Sequence, residues 1–129
     1  QILDGDLTAD AHRQRIRSWI DTHWKSLDVL INNAGSGAIG RFDSANAQRM
    51  RKVMEIDFFA PVELTRTLLP SLRQGKRPAI MLIGSVLGIR AVPRKSEYCA
   101  AKFALRGWGE ALRCELAKEK IEVLQVHPS

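Results

Sequence analysis

Tyr98 and Lys102 stand four residues apart, so on a helix they share one face, one turn from each other. A tyrosine titrates near pH 10, which makes it a weak acid–base group at neutrality. An ammonium beside it favours the phenolate and lowers that value. Ser85 follows an apolar run, and its hydroxyl could hold a substrate oxygen and donate to it as charge develops. Asn32-Asn33-Ala34-Gly35 closes another apolar run. Its small residues admit a flat or charged ligand close to the backbone, and its amides supply donors and acceptors. Each feature alone is common: Asn and Gly end many strands, and Tyr-x-x-x-Lys occurs on ordinary helices. Together they describe proton exchange with a substrate oxygen.

The elements that must position these groups follow from the pattern of apolar residues. Gln1–Leu3 reads as the tail of a strand and Asp4-Gly5-Asp6 as a turn. Thr8 is the expected cap of a helix through about residue 25, with Ile16, Trp19, Ile20 and Trp24 at helical spacing. Residues 28–33 read as a buried strand and 34–40 as a Gly-rich loop. A long helix, capped by Asp43 or Ser44, runs to about Arg73, and Pro61 within it should kink it. Residues 79–84 form the next strand, 86–95 a loop, 96–118 a helix and 121–126 the last strand. Strand and helix thus alternate four strands to three helices, which implies an α/β, doubly wound parallel sheet with helices on both faces. Ligands of such sheets bind beyond the carboxyl ends of the strands. Those ends carry Asp6 and Leu7, Asn32–Gly35, Gly84-Ser85 and His127-Pro128-Ser129.

The ordered set resembles the short-chain dehydrogenase/reductase family, in its compact single-domain branch. The stretches LDVLINNAG (27–35), VELTRTLLP (62–70), IGSV (83–86) and YCAAKFAL (98–105) carry the resemblance, which covers essentially the whole chain. It implies a single Rossmann-like, NAD(P)-binding domain over residues 1–129, truncated at both ends, and an oxidoreductase that exchanges hydride between a small alcohol or carbonyl substrate and NAD or NADP. Tyr98 would be the general acid/base, and Lys102 would lower its pKa and bind the nicotinamide ribose. Ser85 would polarise the substrate oxygen. Asn33, Ala34 and Gly35 would line the ribose and nicotinamide, Asp6 and Leu7 the adenine, and Pro128 the nicotinamide ring. The family usually has asparagine where this chain has Asp57, giving much of the role to its main-chain carbonyl. A carboxylate there could instead pair with Lys102 and weaken its effect on Tyr98. The family's Pro-Gly after the last strand is Pro128-Ser129 here. The Gly-rich phosphate loop, the residue that selects NAD or NADP and the substrate loop are not in this sequence, which reads as a fragment of a longer reading frame.

With 129 residues, 45% hydrophobic and 26% charged, the chain suits one soluble domain. No apolar run is long enough to span a bilayer. The net charge of +6 is spread over scattered Arg and Lys without an aromatic-studded stripe, which argues against nucleic acid and for solvated helix faces or attraction of a phosphate-bearing cofactor. Cys99 and Cys114 fall in one expected helix, roughly 22 Å apart, so reduced thiols and a cytoplasmic location are expected. The three histidines lack metal-ligand spacing, and no metal is expected. By resemblance the protein would assemble as a dimer or tetramer through the helix after Ser96 and the long helix with Pro61. The rival reading is a non-catalytic remnant of the fold that cannot hold cofactor by itself.

Overall fold

A computed structural model describes residues 1–129 as a parallel sheet of three strands with helices packed on it. The elements are α1 (Asp10–His23), β1 (Val29–Asn32), α2 (Ala47–Met54), α3 (Ala60–Leu72), β2 (Ala79–Ile83), α4 (Ser96–Leu116) and β3 (Glu122–Val126). The strands lie in the order β1-β2-β3, with Leu30 level with Ile80 and Ile80 level with Val123. The Rossmann-like class read from the alternation is therefore present in partial form, but α1, α3 and α4 all cover one face rather than both, leaving Val29, Ile31, Leu124 and Val126 exposed on the other. Gln1–Leu3, expected to be strand, is not. A strand exists only with a hydrogen-bonded neighbour, and these residues pair with none.

Alternation along the strands decides where the core sits. Leu30, Ile80, Leu82 and Val123 point to one face and are buried with Leu64, Leu68 and Leu72 of α3, Leu105 and Leu116 of α4, and Ile20 of α1. Burying such a side chain stabilises by about 1.5–3 kcal/mol, so this cluster is the main reason the layers adhere. Asn32 is buried on the same face, where its amide donates to the Thr65 hydroxyl at 2.9 Å and ties β1 to α3.

The caps differ from expectation. Thr8 does not cap α1. Its N–H and hydroxyl both donate to the Asp6 carboxylate, at 2.9 and 2.8 Å, and Ala9 holds the cap position. Neither Asp43 nor Ser44 caps the long helix, because Asp43 is held by Arg41 in a short 3-10 turn. Asn46 accepts the Arg49 N–H at 2.9 Å instead. The effect of Pro61 takes the form of a π-turn over Glu55–Phe59, where the Ala60 N–H reaches back to the Glu55 carbonyl. Proline lacks an N–H and its ring crowds the carbonyl four residues earlier, here that of Asp57; one widened turn relieves both.

Candidate active site

Ser85 leaves β2 in extended conformation, and its Oγ accepts the Leu87 N–H at 3.1 Å. The Gly84 N–H donates to the Val126 carbonyl and the Val86 N–H to that of Pro128, at 2.8 and 2.9 Å. These bonds fasten the Ser85 loop to the end of β3. Tyr98 and Lys102 occupy the first two turns of α4, which the Cys99 N–H closes onto the Lys95 carbonyl at 2.8 Å. All three residues line one cleft of about 570 Å³, together with Asn33, Gly35 and Pro128. The cleft lies at the carboxyl ends of the strands, where an open parallel sheet takes its ligands.

Lys102 is 4% exposed, and its Nζ stands 5.5 Å from the centre of the Tyr98 ring. Burial pushes its pKa down, and the nearby Asp57 charge opposes that shift. The ammonium makes one hydrogen bond, to the Ile83 carbonyl at 3.3 Å. Asp57 is 1% exposed within the π-turn. One carboxylate oxygen accepts the Ser36 N–H at 2.5 Å, and the other is buried without a partner. Burial pushes this carboxyl above the usual range, offset in part by the Ser36 N–H and the Lys102 charge. No direct ion pair joins Asp57 to Lys102; they flank Gly35. A Cβ at Gly35 would lie 3.4 Å from Asp57 Oδ1 and 3.5 Å from Lys102 Nζ, so glycine there keeps the backbone close to both.

The remaining expected residues divide. Ala34 and Leu7 line a smaller adjoining cavity of about 40 Å³ with Asn33. Asp6 lines neither; its carboxylate is engaged by Thr8, which holds it below the usual range. Among the lining residues not anticipated, Ser36 and Lys95 bring polar side chains. Lys95 stands three residues before Tyr98, a spacing that places both on one helix face and could have flagged it.

The arrangement is a strand-end serine, a tyrosine with an ammonium beside it, and a backbone approach opened by glycine. Over residues 1–129 the chain matches the short chain dehydrogenase family. It belongs to that family. It is 41% identical over 102 residues to dehydrogenase/reductase SDR family member 7B of Rattus norvegicus, a match that covers 79% of this chain and 31% of that protein. The chain thus spans about a third of the length of this curated relative. Among solved structures, the Pseudomonas aeruginosa RhlG/NADP active-site complex superposes with a TM-score of 0.90 at 29% identity, covering 96% of this chain and 50% of that one. A 4-hydroxyisoleucine dehydrogenase complexed with NADH and succinate superposes with a TM-score of 0.88 at 29% identity, over 96% of this chain and 58% of that one.

Proposed function

We propose that this chain carries the proton-transfer centre of an NAD(P)-dependent oxidoreductase that interconverts a small alcohol and its carbonyl. The observation that carries the reading is the convergence of Ser85, Tyr98 and Lys102 on one cleft, with the Lys102 ammonium 5.5 Å from the Tyr98 ring centre. The residues present fit a nicotinamide dinucleotide. Lys102 has one bond to Ile83 and two further N–H donors for ribose hydroxyls, and Gly35 opens the wall beside it. Asn33, Ala34, Gly35, Lys102 and Pro128 would hold the nicotinamide half, and Asp6 and Leu7 the adenine side. When bound, the dinucleotide supplies or accepts the hydride.

The chain's own residues then handle the proton. The Tyr98 phenol gives its proton to a substrate oxygen in reduction and takes one in oxidation. The Lys102 ammonium favours the phenolate that forms, and the Ser85 hydroxyl donates to the substrate oxygen and orients it. Asp57 acts through Lys102 rather than on substrate. Phe59 and Phe103, 45% and 43% exposed on the long helical rod and on α4, support assembly into a dimer or tetramer through those helices. Free Cys99 and Cys114 are compatible with a reducing, cytoplasmic setting, and no helix is long and apolar enough to cross a membrane.

Tyr98→Phe in the full-length protein tests the reading, because it keeps the ring and removes only the hydroxyl that carries the proton. Turnover should fall by about two to four orders of magnitude with cofactor affinity nearly unchanged. Retention of more than about a tenth of the activity would remove Tyr98 from the acid–base role.

A further inference from the structure

Lys95 contributes a second ammonium to the cleft, with its Nζ 5.8 Å from the Tyr98 ring centre. It is half-buried and forms no salt bridge. No Asp or Glu lines the cleft. Of the two acids near it, Asp57 accepts the Ser36 N–H through one oxygen and acts on Lys102, and Glu97 is held by Arg49 and the Ser96 hydroxyl. The cleft therefore presents two ammonium groups and no lining carboxylate; Asp57 offsets Lys102 alone, from beside Gly35, and Lys95 is left without an acid.

The turn that presents Lys95 is strained and pinned. Arg94 sits at φ 66°, in the left-handed region that a long side chain seldom adopts. Its carbonyl accepts the Gly40 N–H at 2.9 Å, and Gly40 is itself at φ 149°. A Cβ at Gly40 would lie 2.7 Å from Arg49, whose guanidinium holds Glu97 two residues beyond Lys95. Contacts on both sides thus set where Lys95 stands.

We propose that Lys95 is a specificity-determining residue that selects alcohol or carbonyl substrates bearing a carboxylate, with the carboxylate bound at the Lys95 side of the cleft. The proposal rests on the oxidoreductase reading and narrows its substrate class. An exposed lysine contributes little to binding, but one facing a partly dehydrated cleft without a competing acid attracts an anion more strongly.

The test compares wild type, Lys95→Met and Lys95→Arg in the full-length protein, with 3-hydroxybutyrate and its neutral amide as paired probes at saturating cofactor. The ratio of kcat/KM for acid over amide should fall about tenfold or more in Lys95→Met, mainly through KM, and Lys95→Arg should recover most of it. An unchanged ratio would overturn the proposal. So would an alkaline displacement of the pH–rate profile with the ratio kept, which would assign Lys95 to the Tyr98 phenolate. An equal loss of cofactor affinity would assign it to the cofactor and overturn the proposal as well. Absence of turnover in every protein would rule out these two probes as substrates and leave the oxidoreductase reading to the Tyr98→Phe comparison. Butyrate affinity, followed by NMR line broadening, then decides Lys95: a tenfold loss in Lys95→Met supports the proposal and equal affinity rejects it.

Discussion

Asp57 and Lys102 are opposite charges buried on either side of one glycine without touching, and each is costly to keep ionised. The pH dependence of stability should show this. The Asp57 carboxyl holds its proton above the usual carboxylate range when folded. Between the ordinary and raised values the folded chain binds more protons than the unfolded one, so this contribution falls as pH climbs through that window. Lys102, with its pKa pushed down, binds fewer protons when folded and contributes the opposite slope on the alkaline side. Asp57→Asn keeps an acceptor for the Ser36 N–H and removes the first effect. The variant should be more stable than wild type by about 1 kcal/mol at neutral pH, with the gap closing toward about pH 4. Urea titrations across that range measure it, and a constant gap would mean that Asp57 ionises as an ordinary surface acid does. The same change removes a charge that supports the Lys102 ammonium, so the alkaline limb of the oxidation profile should move to lower pH. Superimposable pH–rate profiles would make Asp57 a bystander to Lys102.

The junction of α2 with α4 is held by Arg49, whose Nε and Nη2 both donate to Glu97 Oε1, at 3.0 and 2.6 Å. Glu97 is 4% exposed, and the guanidinium holds its carboxyl below the usual range. A lowered carboxylate pKa gives stability that is complete above the ordinary value and lost as pH falls through the folded one. Because Glu97 adjoins Tyr98, the pair also fixes the first turn of the helix that carries the proposed acid/base. Arg49→Met leaves a buried carboxylate without its cation and should cost about 2–3 kcal/mol in chemical denaturation. A loss under about 0.5 kcal/mol would class the contact with surface ion pairs. The π-turn over Glu55–Phe59 belongs to the same scale: Pro61 disturbs the ladder, and the widened turn carries Asp57.

At the scale of the whole chain, the accessible surface is 8097 Å², where a compact monomer of this mass would show roughly 6,900 Å². The excess has an identifiable location. Val29 and Ile31 of β1 and Leu124 and Val126 of β3 are 42–55% exposed, on strands of a parallel sheet, a type normally covered on both faces. The 129-residue chain by itself should therefore bind a hydrophobic dye such as ANS strongly, and dye fluorescence at the level of a compact control protein would contradict this. It should also bind NAD(H) or NADP(H) only weakly, because no Gly-rich loop leading into a helix N-terminus lies in this sequence to take the pyrophosphate. Trp19, Trp24 and Trp108 offer the fluorescence signal, and micromolar affinity would show that the groups around the cleft suffice.

Element order was legible from the sequence because apolar periodicity is a local property. The ends of β1 and β2 and the start of α4 lay close to where turn and helix residues placed them. Ser85, Tyr98 and Lys102 could be located on that basis, since each sits at an element boundary or at fixed helical spacing. Tertiary structure alone decided what depends on distant partners. Gln1–Leu3 has strand-like residues but no neighbour to pair with. The inward direction of Asp57 was set by the π-turn and by the Ser36 N–H, which lies 21 residues away in sequence. Lys95 reached the cleft through contacts that join Gly40, Arg49, Arg94 and Glu97, up to 48 residues apart for the ion pair alone. Such contacts form only when the layers close, so no window of sequence contains the information that places them.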